Sequence, residues 1–401
     1  MSTRIATSMT YSASLQSMLA KQASLNKLQQ QLATGQKLVT AKSDPIAAGT
    51  AVKLDHAASA LEQYAANASR VSNRLGLQEN ALTEAGELMT QVNELTVQAN
   101  NPSLSNDDLK SIATQLRAIQ DQLLAIANST DGTGRYLFGG ANDGTPPFVR
   151  NAGTVSYAGD QTWRQIEVAP GTVVRDALPG SEVFMRIPTG DGVLDANPSS
   201  ANAGSLLVKS YSQDNASGPW NGKAHTLTFT AADQFEIHDA DGALVHSGTY
   251  TDGEDITFGG LRLALGGTPA IGDSVTVGPA GKRDVFSTLE SLCRALETPA
   301  TGEVAVAART NQLQSAMRDV ARGRETLIDS RANGGAQLAA LDTAANLRDA
   351  DATTLQTSLS SLRDLDYAEA VSRYQLESTA LQAAQTIFTQ MQSMSLFNAL
   401  R

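Results

Sequence analysis

From Leu61 to Ala99 the chain places apolar side chains at alternating spacings of three and four residues, and ten of the twelve positions in that series are apolar, Gln78 and Thr96 being the exceptions. A mean period of 3.5 residues keeps one stripe of a helix facing a partner, so this segment reads as a coiled-coil seam about 58 Å long. The stretch "NNPSLSNDD" interrupts it, and Ser105 with Asp108 three residues later forms a capping-box pattern for a second helix. That helix carries Leu109, Ile112, Leu116, Ile119, Leu123 and Ile126, apolar at every step. Two helices joined by so short a loop are expected to lie antiparallel. The spacing returns at Val306, Leu313, Met317, Val320, Leu327, Leu338 and Leu341, broken by Thr310, Arg324, Arg331 and Gly334, which predicts a long third helix as the partner face for the first two.

Both chain ends repeat the pattern on their own helices. The first carries Leu15, Met18, Leu25, Leu28 and Leu32, and Gly35 is placed to end it as the residue after the C-cap. Asp44 is a suitable N-cap for the helix that follows, with Pro45 at its first position, where a missing N–H costs nothing. Near the other end, "RDLDYAE" stops the third helix at Asp364, and Asp366 with Glu369 repeats the capping-box spacing. The last helix is expected from Tyr367 to about Phe397, its seam formed by Val371, Tyr374, Leu381, Phe388 and Met391 and broadened by Ile387, Met394, Leu396 and Phe397.

Neither terminal helix suffices alone. About six buried large side chains at ~2 kcal/mol each give roughly 12 kcal/mol. Ordering about 30 residues costs ~1–2 kcal/mol apiece. Two arrangements satisfy such stripes: a four-helix bundle closing within one chain, or ends that order only when neighbouring copies cover them. The turns around Gly35, Asp44 and Pro45, and around Asp364 and Asp366, then act as hinges.

Between about Tyr136 and Gly281 the period changes to two. Runs such as "TVSYAG", "RQIEVAP", "HTLTFTA", "QFEIHDADGALVHSG", "DITFGGLRLAL" and "GDSVTV" alternate as strands do, with an Asp241-Gly242 hairpin turn. Composition agrees, since 24 of the 32 glycines and nine of the twelve prolines lie between Gly132 and Gly281. The stretch "TGDGVLDANPSSANAG" is read as a boundary between a hairpin attached to the helices and a separate β-domain. The expected fold is mainly α with a β insertion: a long antiparallel coiled-coil-like rod built from both terminal segments, with a β-hairpin region and a small β-domain in the middle. Its divisions fall at 1–44 (terminal helix and hinge), 45–134 (rod), 135–189 (hairpin region), 190–282 (outer β-domain), 283–365 (rod) and 366–401 (terminal helix).

A net charge of −11 with no cluster of Lys and Arg argues against nucleic acid, whose phosphates a binder must neutralise. Residues 1–43 carry Arg4, Lys21, Lys27, Lys37 and Lys42 without an acid, whereas residues 347–401 hold four Arg and six acids, so the ends attract one another weakly. The one cysteine, Cys293, lies in the apolar helical stretch "VFSTLESLCRAL" and is expected to be buried packing. No apolar run reaches the roughly 20 residues that span a bilayer, so no membrane partner is expected, and the first residues lack the apolar core of a cleavable secretory signal.

Chemistry-bearing constellations are weak. His56, His225, His238 and His246 show no metal-ligand spacing. Asp239, Asp241 and Gly242 match only a fragment of a calcium loop, and a tight turn explains them. Asp252 and Glu254 also sit in turn-like contexts, so no placed carboxylate pair supports glycosidase chemistry. The sequons at Asn67, Asn128 and Asn215 are short enough to arise by chance. No enzyme activity, cofactor or metal is expected.

"LATGQKLVTAKSDPIAAGTAVKL" (32–54) resembles the N-terminal signature of bacterial flagellins and their relatives, and "LRDLDYAEAVSRYQLESTALQAAQ" resembles the matching C-terminal one. Ser43-Asp44-Pro45 stands where flagellins commonly carry paired acids. "RYLFGGANDGTPPF", "VSYAGDQTWRQIEVAPGTVVRDALPGSEVF" and the closing "SLFNALR" resemble the hook-associated protein 3 branch, the hook-filament junction proteins, more than flagellin. The resemblance implies an axial structural protein of the extracellular flagellum, exported without a cleaved signal through the type III apparatus. Implied partners are copies of itself in an axial layer, hook-associated protein 1, flagellin and a cytoplasmic export chaperone that shields the C-terminal seam. A flagellin-type filament subunit is the alternative, followed by a coiled-coil signalling or adhesin protein.

Overall fold

The computed structural model of the chain describes residues 2–42, 44–151, 153–214 and 218–399, with side chains for those from residue 9 to residue 391. The chain forms two compact units, Met1–Ala66 with Ala344–Arg401, and Asn67–Thr343. The helices are α1 (Ser2–Thr34), α2 (Pro45–Ala99), α3 (Asn106–Ala127), α4 (Val285–Glu297), α5 (Glu303–Arg363) and α6 (Tyr367–Ala399). The expected class, helical terminal segments around a β-rich middle, is the class observed.

In the second unit the apolar period explains the packing directly. Leu82, Met89 and Val92 of α2, Leu109, Leu116 and Leu123 of α3, and Leu313, Val320 and Leu327 of α5 share one core. The Ser105 capping box forms in full: its hydroxyl accepts the Asp108 amide at 3.2 Å, and the Asp108 carboxylate accepts the Ser105 amide at 3.0 Å. Both polar interruptions of the α2 seam are satisfied inside the core. Gln78 exchanges two hydrogen bonds with the backbone of Leu178, each 2.9 Å long, and the Thr96 hydroxyl donates to the Val92 carbonyl at 2.7 Å. Within α5, Gly323 lies close against the α2 side, since a Cβ there would stand 3.0 Å from the Met89 methyl and press on it.

Two expectations about α5 and its surroundings need correction. Val306 is 40% exposed, and Ala307 takes the inward position instead. The partner face is also shared, since α4 packs along α3 through Leu289, Leu292 and Cys293. Cys293 is fully buried, and burial pushes its thiol up to about 11. Iodoacetamide is therefore expected to leave Cys293 unmodified at pH 8 in the folded chain and to label it once urea unfolds that core, as read by intact mass. Native-state labelling would refute this packing.

The strands run β1 (Phe148–Asn151), β2 (Thr154–Tyr157), β3 (Gln165–Ala169), β4 (Thr172–Arg175), β5 (Ile187–Pro188), β6 (Leu194–Pro198), β7 (Leu207–Gln213), β8 (His225–Ala231), β9 (Gln234–Asp239), β10 (Leu244–Thr249), β11 (Asp255–Phe258), β12 (Leu261–Gly266), β13 (Ser274–Pro279) and β14 (Lys282–Arg283). Hairpins β1–β2 and β3–β4 and the pair β14–β5 are small antiparallel ladders. A five-stranded sheet in the order β10-β9-β8-β13-β6 and a three-stranded sheet in the order β11-β12-β7 enclose a second core of Leu227, Phe229, Ile237, Leu261, Leu263 and Val275. The Asp241-Gly242 turn joins β9 to β10, with Gly242 at φ +83°. "TGDGVLDANPSSANAG", read as a boundary, contains β6, which pairs with β13 and buries Leu194, Asp195 and Ala196. The Leu194-Asp195-Ala196-Asn197 alternation is short and sits among Gly, Asp, Pro and Ser residues, so it reads as a loop.

Charge also fastens the helical core. Arg74 of α2 is 5% exposed and lies among Asp131 (3.4 Å), Asp143 (3.4 Å) and Asp176 (3.7 Å), while it donates to the Tyr136 carbonyl at 2.6 Å. Arg164 closes the cluster with ion pairs to Asp143 at 3.0 Å and to Asp176. Segments of the chain far apart in sequence are thereby held on one face of α2.

Candidate functional site

The first unit is built around α1 and α6. They run antiparallel: Tyr11 donates to the Met391 carbonyl at 3.1 Å and stacks edge-on against Phe388 at 5.5 Å, Lys21 pairs with Glu377 at 3.2 Å, and Gln29 donates to the Tyr374 hydroxyl at 3.0 Å. The charge asymmetry of the two ends is thus used at Lys21 and Glu377. Leu25 and Leu381 are buried between the helices, and Met18, Leu28, Leu32, Tyr374, Phe388 and Met391 are half-buried.

A pair of helices covers only one stripe on each, and here both helices carry more apolar surface than that. Leu15 is 50% exposed, Val371 43% and Ile387 57%, so these three candidates point away from the seam. Leu19 at 62% and Leu376 at 69% extend the outward surface. Neither stood out in the sequence, because a 3-4 template selects a single stripe and discards its flanks. Met394, Leu396 and Phe397 lie outside the residues whose side chains are described.

The turns beside this pair have specific geometry. Gly35 has φ +69°, the left-handed conformation of a helix C-terminus, and a Cβ there would come 2.8 Å from the Tyr367 hydroxyl. Its amide still donates to the Gln31 carbonyl at 2.8 Å. The Asp44 carboxylate accepts the Ala47 amide at 2.9 Å, with Pro45 as the first residue of α2; Ser43 lies outside the described residues. The Asp366 carboxylate accepts the Ala368 and Glu369 amides at 2.9 and 3.1 Å. Glu369 pairs with Arg373 at 2.7 Å, an ion pair one turn along the helix. Asp364 accepts from the Ser360 hydroxyl.

The two linkers also meet. Gln36 and Asp364 form an antiparallel bridge, Lys37 donates to the Arg363 carbonyl at 2.7 Å, and Leu365 donates to the Gly35 carbonyl at 3.1 Å. No alternation marks these residues, so nothing local in the sequence announces the pairing.

Elsewhere the carboxylates weighed for chemistry serve turns. Asp239 accepts the amides of Ala243 and Asp241 at 2.8 and 3.0 Å, and the Ala243 bond is the main reason its carboxyl stays below the usual range. Asp252 pairs with Lys209 at 3.1 Å, which lowers its carboxyl likewise. Among the described residues, no group of three or more His, Cys, Asp and Glu is arranged to hold a metal ion, and no helix is long and apolar enough to cross a membrane.

Residues 5–143 match the bacterial flagellin N-terminal helical region and residues 309–400 the bacterial flagellin C-terminal helical region. Flagellar hook-associated protein 3 of Escherichia coli is 27% identical over 399 residues, covering 98% of each chain. The crystal structure of Xanthomonas campestris FlgL is 51% identical and superposes with a TM-score of 0.71, covering 76% of this chain and 99% of that one. The flagellar junction protein FlgL from Legionella pneumophila is 26% identical with a TM-score of 0.68, covering 79% and 100%.

Proposed function

From the premise that this chain belongs to the flagellar hook-associated protein 3 family of the bacterial flagellins, we propose that the α1/α6 pair is the surface through which it assembles into an axial layer. It is a structural protein of the flagellum rather than an enzyme. The observation that carries the assembly role is the apolar surface left outward after α1 and α6 have paired, at Leu15, Leu19, Val371, Leu376 and Ile387. Five large apolar side chains left exposed on one helix pair are the kind of surface that a partner covers. Copies of the same chain are the first occupants, and the layer they form joins hook-associated protein 1 to the flagellin filament. Gly35, Asp44, Pro45, Asp364 and Asp366 are the points at which the pair connects to the rest of the chain.

Before assembly the same apolar surface needs cover. A cytoplasmic chaperone holding α6 supplies it, and passage through the type III apparatus to the cell exterior follows without cleavage of a signal. Support for these steps comes from the family alone. Deleting the gene in the parent bacterium is expected to leave hooks without filaments while flagellin accumulates in the medium, as seen by electron microscopy and immunoblotting. Filaments of normal length on the deletion strain would overturn the junction role.

A further inference from the structure

An assembly surface made of two chain ends is useful only if both ends are presented together, and this inference rests on that reading of α1 and α6. Arg363 is the last residue of α5, so its carbonyl is one of the helix-terminal acceptors with no partner inside the helix. The Lys37 amide fills it at 2.7 Å, which ties the linker after α1 to the linker before α6. Beside that bond, Leu365 donates to Gly35, Gln36 bridges Asp364, and the Gln31 side chain donates to the Lys37 carbonyl at 2.6 Å. Two linkers more than 300 residues apart along the chain therefore share one short ladder.

The guanidinium of the same arginine faces the other way. Its Nη1 donates to Asp55 Oδ1 at 2.9 Å and its Nη2 pairs with Asp55 Oδ2, a two-pronged contact with the third turn of α2. An exposed ion pair contributes little as a charge, and both side chains here are about two-fifths exposed, 38% and 43%. A bidentate fork differs in fixing direction as well as distance, which a lysine in its place does not do.

We infer that Arg363 is a positioning residue: its side chain grips α2 through Asp55 while its carbonyl holds the linker of the opposite chain end, so that α1 and α6 are presented as one braced piece and not as two separately hinged helices. Asp55 is the counterpart on which that bracing depends.

Amide hydrogen exchange on the purified full-length chain tests this. In Arg363→Ala, the Lys37 and Leu365 amides are expected to exchange about fivefold faster, the most that a half-exposed pair supports. Leu355, two turns back in α5, is expected to keep its rate. Arg363→Lys should fall between wild type and alanine, and the reversed pair Asp55→Arg with Arg363→Asp should recover at least half of the lost protection. Unchanged rates at Lys37 and Leu365 in Arg363→Ala would overturn the proposal. Equal acceleration at Leu355 would overturn it too, since the helix end would then simply be fraying, and so would a reversed pair no better than alanine. Because the readout needs no polymer, the brace and the assembly role fail independently.

Discussion

Replacing Arg74 by methionine is expected to lower the unfolding free energy of the unit containing it by about 3–5 kcal/mol, the cost of removing one partner from a buried ionic cluster. The neighbours set that magnitude. Asp143 and Asp176 are 6% and 2% exposed, so neither regains water when the guanidinium is removed. Burial lowers the Arg74 pKa, and Asp176, Asp143 and Asp131 oppose that shift, which keeps the side chain charged at neutral pH. Methionine has similar bulk, so the loss reads as charge and hydrogen bonding and not as a cavity. Urea denaturation followed by tryptophan fluorescence suits the site, because Trp163 lies beneath Arg175 at 3.5 Å and directly precedes Arg164. A deficit below 1 kcal/mol would show that the cluster is dispensable.

The same variant has a pH signature. The Asp131 carboxyl lies below its ordinary 3.8 in the folded chain, so its share of stability is present above that value and is lost as the pH falls through the depressed folded value. Burial opposes that depression, hydrogen bonds from the Thr133 hydroxyl and the Thr133 and Arg135 amides supply most of it, and the Arg74 charge adds the smallest share. The gap between wild type and Arg74→Met is therefore expected to narrow slightly below about pH 4, by the small Arg74 share alone. A gap constant from pH 7 to pH 3 would place its origin elsewhere.

The second large effect separates the two faces of the chain ends. Leu25→Asp or Leu381→Asp puts a carboxylate into the seam between two 33-residue helices, and the far-UV helical signal of α1 and α6 is expected to fall together. Leu19→Asp, at a position already 62% exposed, should leave helicity as it was and still prevent incorporation into the flagellar junction. Circular dichroism of the purified chain reads the first effect, and complementation of the deletion strain reads the second. Were Leu19→Asp to build filaments as well as wild type, the outward surface would have no part in assembly; were Leu25→Asp fully helical, the pairing would not depend on its seam.

Much of the fold could be read along the chain because it depends on neighbours in sequence. The seams of α2 and α3, the Ser105 capping box, and the Asp241-Gly242 hairpin each follow from side chains within a turn or two of one another, where backbone sterics and helix period already decide the outcome. The flagellin signatures are local in the same sense, and they identified the family before any packing was visible.

Tertiary structure decided what depends on segments distant along the chain. Gln78 and Thr96 interrupt the α2 seam, and only the folded core supplies the Leu178 backbone that completes Gln78. β6 was hidden because its partner β13 lies roughly 80 residues away and turn-forming residues flank its short alternation. On α1 and α6 the spacing picks out Met18, Leu25, Leu28, Leu32, Tyr374, Leu381, Phe388 and Met391, which do turn inward, but that Leu15, Val371 and Ile387 turn outward is decided only by how the two helices pair. The physical reason is common to all three: periodicity fixes which residues can share a face, whereas which face meets which partner is settled only when distant segments compete for the same buried surface.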